Sequence, residues 1–179
     1  MVGVLAGLLR FRSEFWDDEH SLSCKPRVKE LSMEISQTTP AEAHGVLSAD
    51  PEAVYLDVRT ELEFAAGHPT GAINVPVAVA NPSGGMLLNP DFQSVLESIL
   101  PRDTAIFCGC QSGGRSQTAA KILAEMEYTA VTNIRGGFGG VRDPSGQLLV
   151  AGWIDSDLPI STEVDAANSY AGLKQRAGL

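Results

Sequence analysis

The chain has 179 residues, which suits one domain of ordinary size with some additional sequence at its ends. Its formal net charge of −9 argues against a nucleic-acid-binding protein, whose affinity depends on neutralising phosphates, and against a polybasic membrane-surface protein. A hydrophobic fraction of 44% is typical of globular proteins, and no apolar run approaches the roughly 20 residues of a membrane span. Three cysteines are too few for a disulfide framework, so we expect a reducing compartment, the cytoplasm.

The N-terminal segment, residues 1–35, does not fit a secretory signal peptide. Signal peptides carry positive charge before their apolar run, whereas here Arg10 and Arg12 follow the apolar residues 1–9. The segment is therefore predicted to be a poorly ordered extension.

Two helix starts and a strand are indicated in the next part of the chain. Thr39 followed by Pro40 predicts a helix with a threonine N-cap and proline in the first helical position. The apolar residues 54–56 predict a short buried strand. A short helix should follow, because Thr60 and Glu63 have the spacing of a capping box.

The following apolar runs predict three more strands and two more helices. The strands are expected at residues 72–75, 104–107 and 131–134. One helix should begin after Asp91, and the other after the loop that follows the strand at residues 104–107. Short strands that alternate with helices indicate an α/β fold with a parallel sheet.

The C-terminal part reads as turns and a tail. Residues 136–140 are predicted to be a flexible glycine-rich turn, and residues 148–150 could add a small strand after a β-turn. We expect one domain over residues 36–160, and a loose or weakly helical tail over residues 161–179.

The clearest chemical signature is the Cys-Gln-Ser-Gly-Gly-Arg-Ser of residues 110–116, between a predicted strand and a predicted helix. Ligands of open α/β sheets bind at the carboxyl ends of the strands. The glycines let this loop curl with its N–H groups inward, at the positive end of the helix, which is an anion-binding arrangement. Such a field stabilises a thiolate, so Cys110 is predicted to be a nucleophile in an anion cradle, with Arg115 as a fixed cation.

Several neighbouring residues have a structural and a functional interpretation. Cys108 is expected to pack in the core, although a Cys-x-Cys pair could resolve an oxidised or persulfidated Cys110. Asp57 and Arg59 could reach the pocket from a neighbouring strand end, but hydrogen bonds that fix loops are the favoured interpretation. His68 is expected to anchor a loop, and the cysteines and histidines lack the spacing of a zinc site.

Residues 110–116 resemble the active-site loop Cys-x-x-Gly-x-Arg-Ser of single-domain rhodanese-like sulfurtransferases. The resemblance extends to the Asp-Val-Arg of residues 57–59, the Glu-Phe-Ala-Ala-Gly-His of residues 63–68 and the Gly-Ala-Ile-Asn-Val-Pro of residues 71–76. Later residues resemble the C-terminal signature of the family, namely Asn133-Ile134 with Gly136-Gly137, and Trp153 with Leu158-Pro159. Together the motifs cover about residues 36–160 in the order of the family, which makes the match more specific than a lone loop.

The resemblance implies an α/β fold with a five-stranded parallel sheet flanked by helices on both faces. It implies that Cys110 accepts a sulfane sulfur from thiosulfate or a related small anion, becomes a persulfide and passes the sulfur to a thiol or cyanide-like acceptor. No metal and no organic cofactor is implied. The expected site residues are Cys110 and Arg115 as catalytic residues, and Gln111, Ser112, Gly113, Gly114 and Arg59 in substrate binding.

Two features depart from the family pattern. Glu127 stands where a glycine commonly ends the helix after the loop, so the position of that helix end is less certain. Residues 141–152 look like an insertion that could form a wall or lid near the loop.

Two rival functions share parts of this signature. A phosphatase or arsenate reductase also places a cysteine in an anion cradle, but Cys110 to Arg115 is Cys-x4-Arg, and tyrosine-phosphatase-type loops resemble Cys-x5-Arg. The shorter loop suits a sulfur atom better than a phosphate. A catalytically silent rhodanese-like binding module is the second rival, although silent examples commonly lack the cysteine. The sequence predicts no oligomeric state.

Overall fold

The computed structural model describes residues 34–179. The predicted N-terminal extension, with His20 and Cys24, therefore lies outside the described residues apart from its last two positions.

Strands and helices alternate along most of the described chain. The strands are β1 Ser36–Thr38, β2 Val54–Asp57, β3 His68–Pro69, β4 Ile73–Asn74, β5 Ala78–Ala80, β6 Met86–Leu88, β7 Ala105–Gly109, β8 Ala130–Ile134, β9 Val141–Arg142, β10 Leu148–Val150 and β11 Ile160–Ser161. The helices are α1 Pro40–Ala49, α2 Glu61–Ala65, α3 Phe92–Ile99, α4 Gly114–Glu125 and α5 Tyr170–Arg176.

A five-stranded sheet in the order β1-β8-β7-β2-β4 forms the centre of the fold. All four strand pairs are parallel, and the central pair aligns Leu56 of β2 with Cys108 of β7. The expected five-stranded parallel sheet is therefore confirmed. Three two-stranded antiparallel pairs, β3 with β11, β5 with β6 and β9 with β10, surround it.

Helices cover both faces of this sheet because the side chains of a strand alternate between faces. Leu56 and Ile106 pack in one buried cluster with residues of α3, α4 and α5. Tyr55 and Phe107, one position away, pack in a second cluster with Ala43 of α1 and Phe64 of α2. The carboxyl end of β7 thus lies between two filled hydrophobic layers.

The predicted caps of α1 and α2 are confirmed. Thr39 accepts a hydrogen bond from the N–H of Glu42, and the Glu42 side chain accepts one from the N–H of Thr39. Thr60 and Glu63 form the same reciprocal pair at the start of α2. Each pair satisfies amide groups that the helix itself leaves without acceptors.

The end of α4 shows how a glutamate replaces the expected glycine. Glu127 adopts a left-handed conformation with φ 67°, and the N–H of Tyr128 donates to the carbonyl of Leu123 at 3.1 Å. This is the geometry of a helix C-terminus that usually takes glycine. The helix therefore ends at the position expected from the family pattern, and the left-handed conformation of Glu127 is strained because the residue has a side chain.

The C-terminal region differs from the expected loose tail. Helix α5 packs Tyr170 and Leu173 into the cluster that contains the central strands. Asn168, just before the helix, accepts a hydrogen bond from the N–H of Asn74 in edge strand β4 at 2.8 Å. The sequence after Pro159 is mostly polar, and only a few apolar residues make these contacts. The composition therefore does not indicate a packed helix.

No helix of residues 34–179 is long and apolar enough to cross a bilayer.

Candidate functional site

Cys110 follows β7 directly and lies at the carboxyl edge of the central sheet. The N–H of Val58 donates to the carbonyl of Gly109 at 2.9 Å, so the chain is still anchored to β2 one residue before the cysteine. Cys110 is 2% exposed and belongs to the same buried cluster as Cys108. The sheet thereby fixes the direction in which its sulfur points.

The sulfur of Cys110 accepts hydrogen bonds from the loop and from α4. The N–H of Gly113 lies 3.1 Å from Sγ, and the hydroxyl of Ser116 lies 3.4 Å from Sγ and 3.1 Å from the Gly113 carbonyl, so that its one proton is shared between these two acceptors. Helix α4 begins at Gly114, so its positive end is next to the sulfur. Donors and a helix N-terminus both stabilise negative charge on a thiol group.

The glycine-rich segment of residues 136–140 holds the other side of the cysteine loop. The N–H of Phe138 donates to the carbonyl of Cys110 at 2.7 Å, and the N–H of Gly139 donates to the carbonyl of Gln111 at 2.8 Å. In a trans peptide the C=O of one residue and the N–H of the next point in opposite directions. The amides of Gln111 and Ser112 are therefore directed away from this segment.

This approach leaves no space for a side chain at Gly137. A Cβ on Gly137 would lie 2.2 Å from the carbonyl oxygen of Cys110, and Gly137 also has φ 56°. A Cβ on Gly139 would meet the end of the exposed Gln111 side chain, which can move, and the nearest backbone atom is 3.6 Å away. The segment was expected to be a flexible turn, whereas it is a fitted support for the loop. Only contacts between segments distant in sequence reveal this role.

Arg115 is engaged by a carboxylate. Its guanidinium makes two hydrogen bonds with Glu63 of α2, at 2.8 and 2.6 Å. The hydrogen bond from Arg115 lowers the pKa of Glu63 from 4.5 to about 2, and Glu63 in turn raises the pKa of Arg115. The pair links α2 to the first turn of α4 beside the cysteine.

Arg59 is buried and its guanidinium is paired within the protein. It donates to the carboxylate of Asp57, at 2.6 Å for the shortest contact, and to the carbonyl of Gly67 at 2.7 Å. Its guanidinium carbon lies 4.1 Å from the centre of the Phe138 ring. These contacts match the loop-fixing interpretation, and through Phe138 they also support the glycine-rich segment.

The remaining predicted binding residues lie in the turn between β7 and α4. Gln111, Ser112 and Gly114 are exposed, and Gly113 has a left-handed φ of 103° at the N-cap of α4. The structure thus brings Cys110 and the four loop residues together, with Arg115 at the rim and Arg59 behind the loop.

Two further predictions concern side chains that do not take part in the loop. Cys108 is fully buried, and burial raises the pKa of its thiol, as expected for a packing residue. His68 is buried, stacks on Phe64 and shares a 2.8 Å hydrogen bond with the Phe64 carbonyl. Within residues 34–179 there is no cluster of three or more histidine, cysteine or carboxylate side chains suited to a metal ion.

Comparison with known proteins gives relatives that include a named sulfurtransferase and a named rhodanese-like protein. The chain is 44% identical over 103 residues to thiosulfate sulfurtransferase 16, chloroplastic, from Arabidopsis thaliana, which covers 58% of this chain and 83% of that protein. It is 38% identical to rhodanese-like domain-containing protein 15, chloroplastic, from the same plant, over 59% of this chain and 51% of that protein. This chain therefore spans about half the length of the second relative.

A solved structure supports the fold. The crystal structure of Rv0390 from M. tuberculosis has a TM-score of 0.59 and 31% sequence identity, and the match covers 72% of this chain and 98% of that one.

The expected cytoplasmic location is wrong in the light of these relatives, since both plant proteins carry the word chloroplastic in their names. The expectation rested on cysteine usage. A low cysteine count indicates a reducing environment, which does not distinguish the cytoplasm from other reducing compartments.

The rhodanese-like domain model matches residues 39–143, a range that contains the central parallel sheet from β2 to β8, the cysteine loop and the glycine-rich segment. The chain belongs to the rhodanese-like domain family.

Proposed function

We propose that this protein is a sulfurtransferase that carries a sulfane sulfur as a persulfide on Cys110. The observation that carries the proposal is the position of the Cys110 sulfur, held by the Gly113 N–H at 3.1 Å beside the N-terminus of α4. Similarity to a protein named thiosulfate sulfurtransferase supports this activity at the level of the family.

In the first half-reaction the Cys110 thiolate attacks the outer sulfur of thiosulfate or a related small anion. A new S–S bond forms to Cys110, the bond between the two donor sulfurs breaks, and sulfite leaves with the electron pair. The terminal sulfur of the persulfide then carries negative charge at the mouth of the loop. The amides of residues 111–115 are the donors that would stabilise it.

In the second half-reaction a thiol or cyanide-like acceptor attacks the terminal sulfur. The bond from the acceptor to sulfur forms as the persulfide S–S bond breaks, and the electron pair returns to Cys110 as thiolate. The Gly113 N–H and the Ser116 hydroxyl stabilise that leaving thiolate in the same positions that they occupy before the reaction.

Arg115 has a positioning role in this proposal. Its bidentate pair with Glu63 fixes the first turn of α4, which carries the amides and Ser116 toward the sulfur. Gln111, Ser112, Gly113 and Gly114 form the binding loop, and Arg59 supports it from behind through Asp57 and Phe138.

The test is the intact mass of the protein after incubation with thiosulfate and removal of excess donor. We expect the parent to gain one sulfur atom, and Cys110→Ser to gain none. Cyanide added to the loaded parent should remove the sulfur as thiocyanate.

The matched control is Cys108→Ser, because Cys108 is the neighbouring cysteine with a fully buried side chain. A folded Cys108→Ser protein should still load sulfur. A parent that takes up no sulfur would contradict the proposal, and turnover of p-nitrophenyl phosphate in its place would favour a phosphatase.

A further inference from the structure

Three arginines belong to segments that contact the cysteine loop, and they differ in whether a carboxylate neutralises their charge. Arg59 is paired with Asp57, and Arg115 is paired with Glu63. Each of these cations therefore has a carboxylate directly against it. Arg135, which follows β8, is exposed and has no ion-pair partner among residues 34–179.

The pairing of β7 with β8 brings Arg135 to the same edge of the sheet as Cys110. Strands β7 and β8 pair in parallel with Cys108 opposite Asn133, and both chains continue two residues further to Cys110 and Arg135. The N–H of Arg135 donates to the carbonyl of Thr38 at 2.9 Å, which extends the ladder between β1 and β8 past its last strand residue. Adjacent strands lie about 4.8 Å apart, so the segments that follow β7 and β8 leave the sheet side by side.

The alternation of side chains places Arg135 on the face of the sheet that carries the reactive sulfur. Residues two positions apart in a strand share a face. Arg135 therefore lies on the face of Asn133, which is the face of Cys108 and of Cys110 in the aligned strand. Helix α4 packs its buried side chains on that same face.

A second contact places Arg135 beside the cysteine loop. The Cα of Arg135 lies 3.7 Å from the point where a Cβ on Gly113 would stand. Gly113 is the residue whose N–H donates to the Cys110 sulfur. The backbone of Arg135 is therefore packed against the turn that forms the N-terminus of α4.

We propose that Arg135 is the cation that recognises the charged end of an anionic sulfur donor at the Cys110 loop. This inference rests on the proposed sulfurtransferase function and names a specificity-determining residue for it. A chain of net charge −9 repels a dianion at long range, whereas an exposed guanidinium with no carboxylate partner among residues 34–179, on a residue whose backbone packs against the loop, attracts it locally. The preferred donors are then sulfur oxyanions of the thiosulfate class.

The experiment compares steady-state kinetics of the parent and Arg135→Gln with two donors, dianionic thiosulfate and monoanionic benzenethiosulfonate. We expect the KM for thiosulfate to rise about fivefold, in line with an exposed ion pair, while kcat changes less than twofold. The KM for benzenethiosulfonate should rise less. Added salt should raise the KM of the parent more than that of the variant, because salt screens the lost interaction.

Two further variants separate a charge effect from a structural one. Arg135→Lys should restore most of the thiosulfate KM. Arg176→Gln, which removes an exposed arginine from α5, should leave it unchanged, although the change in net charge is the same.

An unchanged thiosulfate KM in Arg135→Gln, or an equal rise in Arg176→Gln, would overturn the inference. The proposed function would still stand in that case, provided that Cys110 of the parent loads sulfur. A parent that loads no sulfur from either donor would overturn both.

Discussion

The sulfur of Cys110 depends on two hydrogen-bond donors, one from the backbone and one from a side chain. Its donors are one amide, from Gly113, and one hydroxyl, from Ser116. The backbone carbonyl of Cys110 accepts a hydrogen bond from the amide of Phe138 on the opposite side. The nucleophile is therefore positioned by main-chain geometry on both sides.

At Gly137 we predict that alanine abolishes most of the sulfur loading. The added Cβ would collide with the Cys110 carbonyl oxygen at 2.2 Å, and φ 56° disfavours any side chain. Left-handed strain alone costs about 1–2 kcal/mol, and the collision must also displace the cysteine loop. Loading with thiosulfate, measured by intact mass, should fall at least tenfold in protein that remains folded by circular dichroism.

The matched control at this scale is Gly146→Ala. Gly146 has a comparable φ of 87°, but no atom lies within 4 Å of the position of its added Cβ. The Gly146→Ala variant should be less stable than the parent, and its rate of sulfur loading should be unchanged. Equal loading rates in the two variants would show that the glycine-rich segment does not position the cysteine.

Between elements, the Glu63–Arg115 pair joins α2 to α4 beside the loop. The folded pKa of Glu63 is lowered to about 2 from 4.5 in an unpaired carboxylate. A lowered folded pKa stabilises the protein fully above pH 4.5, and this contribution is lost as the pH falls toward 2.

We predict that Glu63→Gln lowers the free energy of unfolding at pH 7 by roughly 1 kcal/mol, because the pair is about one-third exposed and partly screened. The difference from the parent should shrink between pH 4.5 and pH 2, as the parent carboxylate becomes protonated. Urea unfolding at a series of pH values measures this. Glutamine keeps one oxygen for the capping box but removes the charge and the second acceptor oxygen, so the variant tests the bidentate pair as a whole.

Glu61→Gln on the same helix is the control for this prediction, since Glu61 is exposed and has no ion-pair partner within residues 34–179. It should show a smaller difference at pH 7. A Glu63→Gln difference that stays constant from pH 7 to pH 2 would contradict the role of the ion pair.

The elements themselves were predictable to different degrees. Helices α1 and α2 carry their start signals in sequence, because a capping box is a contact between residues three apart. Strand β1 carries no such signal: its Ser-Gln-Thr is polar and lies at an edge of the sheet, where pairing with β8 alone defines it. Periodicity detects burial, and an exposed edge strand has little of it.

Across the whole molecule, the C-terminal helix closes the core over the central sheet. Leu173 is 1% exposed within the cluster that also holds Leu56 and Ile106. Tyr170 donates a hydrogen bond to Asn89 at 3.1 Å, and Lys174 pairs with Asp91, both at the start of α3. Helix α5 is therefore part of the folded domain in structural terms.

We predict that Leu173→Ala lowers the free energy of unfolding by about 2–5 kcal/mol, the usual cost of emptying a core leucine site. Chemical denaturation measures the change. Leu179→Ala, at a residue that is 53% exposed, should change stability by less than about 0.5 kcal/mol. Similar stabilities for the two variants would mean that α5 does not contribute to the core.

The sequence by itself determined the α/β class, the caps of α1 and α2 and the cysteine loop at a strand end. These features arise from residues adjacent or a few positions apart, so their signals are local. The tertiary structure decided the pairing of Arg115 with Glu63, the support from the glycine-rich segment and the docking of α5. Those contacts join residues that are far apart in sequence. The parallel crossovers that bring such residues together do not produce a periodic pattern of apolar residues from which the contacts could be predicted.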